Sequence, residues 1–464
     1  MPTDPIVSHA NSKLPRLFKF LFGTACTLGC LTSYAFIHQA TPNDAGSNPH
    51  PVHLRLPEAH PLSAVARLGK ALFFDPRLSG SGRQSCASCH SPAYGYNPPN
   101  TLTVQPGGVD LHKVGYRPPP SLAYLYRQRP FSIGPDTSAD DVVPNLNAQA
   151  ASARSDPRAT KQAGAAPAAP AMVPQGGLFW DGRADSLQRQ AYLPLLNPVE
   201  MANASTDAVA DKLAHSRYRQ AFVQLFGPGI VNDPRQLVDE AMFAIGRFEI
   251  EDPSFHPFSS KYDAWLQGQA RLTRAEMRGL RLFDDPAKGN CAACHLDRPT
   301  RDGLPPLFTD TQYEALGVPR NTALAVNRDP RFHDLGICGP FRKDLAAQTQ
   351  YCGMFLTPTL RNADRRAVFF HNGVYRSLAQ VLEFYNLRSV APGKIYPRDA
   401  HGHVLVYDDL PAAYRANVDI TDAPFNRHAG EPAPLTAQDI RDLIAFLHTL
   451  DDGYSPQAPG RPGK

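Results

Sequence analysis

No block of lysine or arginine stands out in this chain, and its formal net charge is only +4 over 464 residues. Nucleic acid, which calls for a basic stripe, is therefore not an expected partner. Charged residues are scarce at 19%, which excludes a coiled coil and a charge-rich disordered chain. Alternating apolar runs are missing, so no substantial sheet is expected. Cysteine is limited to eight residues, too few at this length for a disulfide scaffold. Proline, in contrast, is abundant. Its 46 residues compare with a usual share of roughly 5% and imply long irregular loops. The length suggests two or three domains.

One uncharged run, residues 20–37, follows Lys13, Arg16 and Lys19. Basic then apolar is the order of an export signal, and the run only just reaches the length of a membrane span. Residues 1–40 are read as a signal peptide or membrane anchor. The protein is accordingly expected in the periplasm, soluble or anchored by its N-terminus, where disulfides persist.

Two segments repeat each other. Gly69, Leu72, Phe73, Asp75 and Pro76 lead to Cys86, Cys89 and His90; Gly279, Leu282, Phe283, Asp285 and Pro286 lead to Cys291, Cys294 and His295. Each reads as a short amphipathic helix, a turn marked by proline and a CxxCH. Thr273 and Glu276 form a capping box before the second helix. A further helical stripe (Leu237, Val238, Ala241, Met242, Ile245) ends near Ile250. The stretch 252–257, broken by Pro253 and Pro257, then reads as a linker. Ile440, Leu443, Ile444 and Leu447 mark a last helix facing a core. The expected fold is mainly α, with two cytochrome c-like haem domains (41–252 and 253–464) and long loops. Residues from about 138 to 177 carry too few apolar side chains to offset their ordering entropy and are read as a mobile insertion.

In CxxCH, two cysteines can form thioethers to haem vinyl groups, and the adjacent histidine can place an imidazole under the iron. Two CxxC pairs could instead give four thiolates to zinc. The histidine after each pair and the export signal argue for two covalently bound haem c groups, with His90 and His295 as proximal ligands.

Between the motifs stand Phe179, Trp180, Asp181, Gly182, Arg183 and Ala184, then Gln190, Pro194, Asn197, Pro198, Glu200 and Met201. Later come Thr357, Pro358, Thr359, Leu360, Arg361 and Asn362, followed by Phe370, His371, Asn372 and Gly373. This ordered set resembles the bacterial di-haem cytochrome c peroxidase and MauG family from about Leu62 to Leu450. The resemblance implies a peroxide-binding haem in the first domain, with Gln190 and Glu200 in its distal pocket and Trp180 as electron relay between the haems. Taken alone, Trp180 reads more readily as core packing and Glu200 as a helix-start carboxylate. Arg183 and His371 are assigned structural or propionate contacts, and Trp265 packing.

The family's second haem takes a further axial ligand after the His371 segment: methionine in ordinary peroxidases, tyrosine in MauG. The matching position is Tyr385, with Met354 as a competing thioether. Thioether ligation favours ferrous iron and a high potential, whereas phenolate, a hard anion, stabilises ferric and higher-valent iron. Tyr385 therefore points to a MauG-like oxidoreductase that uses hydrogen peroxide to form high-valent iron and oxidises a protein or small donor. The alternatives are an ordinary cytochrome c peroxidase fed by a small cytochrome, and a non-catalytic di-haem electron carrier. The donor is not named by the sequence. Residues 284–290 lack the tryptophan through which MauG oxidises its partner, so methylamine dehydrogenase is not expected.

The sequence departs from the family in three places. The calcium site between the haems uses an asparagine side chain where this chain has Pro118 after Arg117, so calcium is possible but doubtful. The Thr-x-Pro of the family is here Arg366, Ala367 and Val368. The nearest histidine that could block the first haem, His112, is out of register, so a five-coordinate resting haem is expected. Cys338 and Cys352, in an exported chain, are expected to pair.

Overall fold

The computed structural model describes residues 46–136 and 172–455. The basic-then-apolar N-terminal run and most of the 138–177 insertion lie outside the described residues. Within them the chain is mainly helical. In order, the helices are α1 (Ala64–Phe73), α2 (Cys86–Cys89), α3 (Leu187–Leu196), α4 (Thr206–Ala214), α5 (Arg219–Phe226), α6 (Pro234–Glu251), α7 (Lys261–Leu266), α8 (Arg274–Asp284), α9 (Leu378–Leu387) and α10 (Ala437–His448). Three antiparallel sheets of two strands each join them: β1 (Pro106–Gly107) with β2 (Lys113–Val114), β3 (Ser132–Pro135) with β4 (Met172–Gln175), and β5 (Tyr313–Glu314) with β6 (Phe355–Leu356). No described helix is long and apolar enough to cross a membrane.

Capping sets the helix starts. Ser63, Asp233, Thr273 and Thr436 each accept a hydrogen bond from a first-turn amide of α1, α6, α8 and α10. These side chains satisfy donors that a helix cannot satisfy itself. At Thr273 the box is reciprocal: its Oγ1 accepts from the Glu276 amide at 3.2 Å, and its own amide donates to Glu276 Oε2 at 2.6 Å.

Two cores form, and they repeat the same construction. In the first, α1 crosses α6; in the second, α8 crosses α10. The matched glycines make both crossings possible. A Cβ on Gly69 would lie 1.8 Å from the Ala244 carbonyl oxygen, and one on Gly279 would lie 2.0 Å from that of Asp442. The matched phenylalanines then pack edge to face, Phe73 on Phe248 at 5.5 Å and Phe283 on Phe446 at 5.2 Å. An edge-to-face pair adds roughly 0.5–1.5 kcal/mol beyond its buried area.

The boundaries of the two cores differ from those read in the sequence. The 252–257 stretch is not a loose linker. It holds a 3₁₀ turn, Pro253–Phe255, whose Phe255 stacks on Tyr96 at 3.7 Å inside the first core. Its prolines end α6 but do not prevent an aromatic from packing. At the other end, Leu54 packs into the second core, and the Leu272 amide donates to the Gly46 carbonyl at 2.9 Å. The start of the described chain thus belongs with the C-terminal half. The last residues of the supposed insertion, Met172–Gln175, pair with β3 as a strand.

Candidate haem pockets and the bridge between them

Each CxxCH opens onto a cavity. The first, of about 130 Å³, is lined by Cys86, Cys89, His90, Gln190, Glu200 and Glu249, among others. The second, of about 200 Å³, is lined by Cys291, Cys294, His295, His371 and Tyr385. The two cysteine pairs face separate cavities, which removes the reading of four thiolates on one zinc.

Both histidines are prepared as ligands. His90 Nδ1 lies 3.3 Å from the Tyr96 carbonyl oxygen, and His295 Nδ1 lies 2.9 Å from that of Phe308. A carbonyl can only accept, so Nδ1 carries the proton and Nε2 keeps its lone pair. Burial pulls both imidazoles down to about 4. They are therefore neutral at pH 7, as metal ligation requires.

The first cavity also contains buried polar atoms with no partner in the protein: Gln84 Oε1, Tyr116 OH, Gln190 Oε1 and Glu249 Oε2. Buried polar atoms are normally satisfied, and each one left over calls for an occupant or a role. A planar macrocycle with polar edges, in a cavity that also accepts a small polar molecule, fits this set. The residues present suit a covalent haem in both cavities.

Glu200 does not start a helix. It sits in the turn after α3, where its amide donates to the Asn197 carbonyl and Asn197 Nδ2 donates to its Oε1 at 2.7 Å. Burial raises its pKa, opposed by the charge of Arg183 and the Asn197 hydrogen bond. With Oε1 engaged by a donor, Oε2 is the oxygen free to carry a proton. Gln190, only 6% exposed, points its unpartnered oxygen into the same cavity.

A second repeat, not noticed in the sequence, sets the opposite faces of the cavities. Phe179 and Gly182 both have φ of 68°; Phe370 and Gly373 have 64° and 62°. An antiparallel bridge closes each turn, Leu178 with Ala184 and Phe369 with Tyr375. Ser186 and Ser377 then cap α3 and α9, each ten residues long. The fourth and eighth positions share one helix face. In α3 they are Gln190 and Pro194; in α9 they are Val381 and Tyr385, and all four line their cavities. The first cavity thus has an amide and a ring without donor or ligand atom where the second has an alkyl group and a phenol. No hydrogen bond within the described residues engages the Tyr385 hydroxyl. Burial raises its pKa above the ordinary 10, reinforced by the nearby Cys294 and Cys291.

Trp180 lines both cavities and is 8% exposed. Its Nε1 donates to the Pro118 carbonyl at 2.9 Å, and its own carbonyl accepts from the Leu356 amide in β6. Beside it lies a buried ion cluster. Arg117 grips Asp334 with two hydrogen bonds of 2.6 Å and Asp181 with one of 2.7 Å, and Asp181 also pairs with Arg183. These charges tie together segments from both halves, so Trp180 sits in a rigid seam.

The remaining expectations sort by position. Arg183 lies flat on Phe179 at 3.7 Å, and His371 stacks on Phe355 at 3.5 Å. Trp265 packs on Tyr262 and donates to the Gly46 carbonyl. Met354 packs near Tyr313 and Ile337 and does not line the second cavity, which counts against it as a competing ligand. His112 is exposed and away from the first cavity. Cys338 and Cys352 are joined as a disulfide with Cα atoms 5.0 Å apart.

The sequence pattern of the di-haem cytochrome c peroxidases matches residues 63–271. The chain is 33% identical over 332 residues to the methylamine utilization protein MauG of Paracoccus denitrificans, covering 70% of this chain and 74% of that one. It is 31% identical to cytochrome c551 peroxidase of Nitrosomonas europaea, covering 69% and 72%. Among solved structures, the diheme peroxidase BthA of Burkholderia thailandensis superposes with a TM-score of 0.71 at 37% identity, covering 87% of this chain and 89% of that one.

Proposed function

The chain belongs to the di-haem cytochrome c peroxidase family, whose members are peroxidases, and within that family we propose that it works in the MauG-like manner. In this reading His90 would hold the haem at which hydrogen peroxide is consumed, His295 and Tyr385 would hold the other, and Trp180 would carry electrons between the two sites. The observation that carries it is Tyr385: a phenol without a hydrogen-bond partner, on the helix position that is Pro194 in the first cavity. Burial raises its pKa, so an oxygen-bound Lewis acid such as ferric iron would be needed to displace its proton to solvent at neutral pH.

Two haem c groups supply the redox chemistry that consumes peroxide. The chain supplies protons, orientation and insulation. Reducing peroxide to two waters takes two protons and two electrons, so a carboxyl whose burial raises its proton affinity is useful beside the peroxide oxygens. Glu200 Oε2 would pass such a proton, Asn197 keeps the carboxyl from turning, and Gln190 Oε1 would accept from a peroxide O–H. The Pro194 ring keeps the helix face open where Tyr385 closes it in the other half. The electrons come from a protein or small-molecule donor. The N-terminal charge order and the disulfide support a site outside the cytoplasm.

The test is an optical and EPR spectrum of the resting diferric protein, followed by peroxide titration. A fast spectral response without added reductant is expected, together with a rise in the potential of the second haem in Tyr385→Met. An unchanged low-spin spectrum in Tyr385→Phe, or turnover only after half-reduction, would favour an ordinary peroxidase fed by a small cytochrome.

A further inference from the structure

The segment Pro118–Pro120 has no backbone N–H to offer, so its carbonyls are free to serve other groups. Pro118 accepts from Trp180 Nε1, and Pro120 lines the cavity together with His90. Pro119 accepts from Arg366 Nη2 at 3.3 Å. The same guanidinium donates from Nη1 to Asn97 Oδ1 at 2.7 Å and from Nε to the Val368 carbonyl at 3.3 Å. Asn97 is fully buried and its amide is oriented by its own bond to the Tyr94 carbonyl. All the oxygens on Arg366 are neutral, and no carboxylate among the described residues pairs with it. Burial lowers its pKa to about 10, which leaves it charged at neutral pH.

A partly buried cation without a carboxylate partner is costly, and its position shows what it is for. Asn97 and Pro119 come from segments of the first core's side, whereas Arg366 and Val368 precede Phe369 of the second core. A side-chain amide oxygen and two backbone carbonyls are donors that a hard divalent cation would also take. Here every one of them already faces an N–H, and the adjacent positive charge would repel a metal ion. Pro118 supplies no side-chain oxygen. The residues present do not fit calcium between the two pockets.

We propose that the Arg366 guanidinium is a built-in cation at this seam: it ties the two halves together in place of a metal and holds a fixed positive charge beside His90. Pro119 lines the same cavity as His90, and Asn97 directly follows Tyr96, whose carbonyl faces His90 Nδ1, so the guanidinium bonded to both stands next to that pocket. A nearby cation favours the oxidation state of lower charge, so it raises the reduction potential of the iron behind His90. This rests on reading the first cavity as a haem pocket, and the experiment separates the two ideas.

Holoprotein carrying both haems would be dialysed against calcium chloride or EGTA and analysed for metal content, optical spectrum and midpoint potentials, alongside Arg366→Lys and Arg366→Met. The expected result is no stoichiometric calcium and identical spectra in both buffers. Arg366→Met should shift the first haem to lower potential and leave the second less affected, while Arg366→Lys stays close to wild type. One calcium per chain whose removal changes the spectrum would overturn the proposal, as would an Arg366→Met potential equal to wild type. If Arg366→Met does not fold, the calcium arm on wild type and the potential of Arg366→Lys decide it. Absence of any haem at Cys86 and Cys89 would instead sink the pocket reading itself.

Discussion

Replacing Glu249 with glutamine should change how stability depends on pH. The side chain lies on α6 against the first cavity, 3% exposed, with Oε2 unpartnered. Burial alone lifts its carboxyl from 4.5 to about 8. Between these values the folded chain keeps a proton that the unfolded chain has released, so stability falls as pH rises. The contribution is intact below about pH 4.5 and lost by about pH 8. At ~1.4 kcal/mol per pH unit the loss is roughly 3–5 kcal/mol. Glutamine keeps the shape and has no proton to lose.

The assay is guanidinium chloride unfolding of the holoprotein from about pH 5 to about pH 9, wild type beside Glu249→Gln. Titrations elsewhere cancel in the difference between the two. The variant should gain on wild type by that amount as pH rises through the interval, then stay level. Curves that run parallel throughout would refute the reasoning, because they would mean that Glu249 is already ionised and paired in the folded holoprotein.

Three further outcomes follow from the geometry. Glu200→Gln should slow the reaction with peroxide by roughly 100- to 10,000-fold in stopped-flow mixing with haem content unchanged, the usual weight of a positioned proton donor. Trp180→Phe removes the hydrogen bond to Pro118 and the indole between the cavities; it should leave each haem's resting spectrum in place and slow electron exchange between them, as followed after mixing with peroxide. Arg361, fully buried, grips Asp263 with bonds of 2.7 and 2.9 Å. Arg361→Met should therefore cost about 3–5 kcal/mol in denaturant titration, and Arg361→Met with Asp263→Leu should recover most of it.

What the sequence disclosed was local. The CxxCH pairs, the helix caps and the repeated Gly69/Gly279 and Phe73/Phe283 could be read because each acts through its own side chain or lack of one. Burial could not be read in this way. Glu249 and Glu251 sit near each other at the end of one helix, and only packing makes Glu249 an unpartnered carboxyl while Glu251 binds Arg247 and Ser63. Phe255 was hidden by the prolines around it. The role of Pro118–Pro120 was invisible because their function lies in carbonyl oxygens, which every residue has. Arg366 looked like a departure from a family pattern, and its partners are distant in sequence.

The second repeat is the most informative of the missed signals. Few identities carry it: Phe179 and Phe370, Gly182 and Gly373, Ser186 and Ser377, Leu187 and Leu378. Those residues are what a left-handed turn followed by a capped helix requires, so they persist where cavity residues diverge. One backbone device therefore presents the same two helix positions to both cavities. The chemistry of each half is then set by what stands there. In the proposed reading, Gln190 and Pro194, with Glu200 nearby, would leave room for a small oxidant, whereas Val381 and Tyr385 would close the face and offer an oxygen ligand instead. A chain built from two like halves would then acquire one reactive and one storage centre by changing side chains on a single helix face. Trp180, which lines both cavities, stands in its turn where His371 stands in the other, so the proposed link between the centres would also arise from a one-residue difference between the halves.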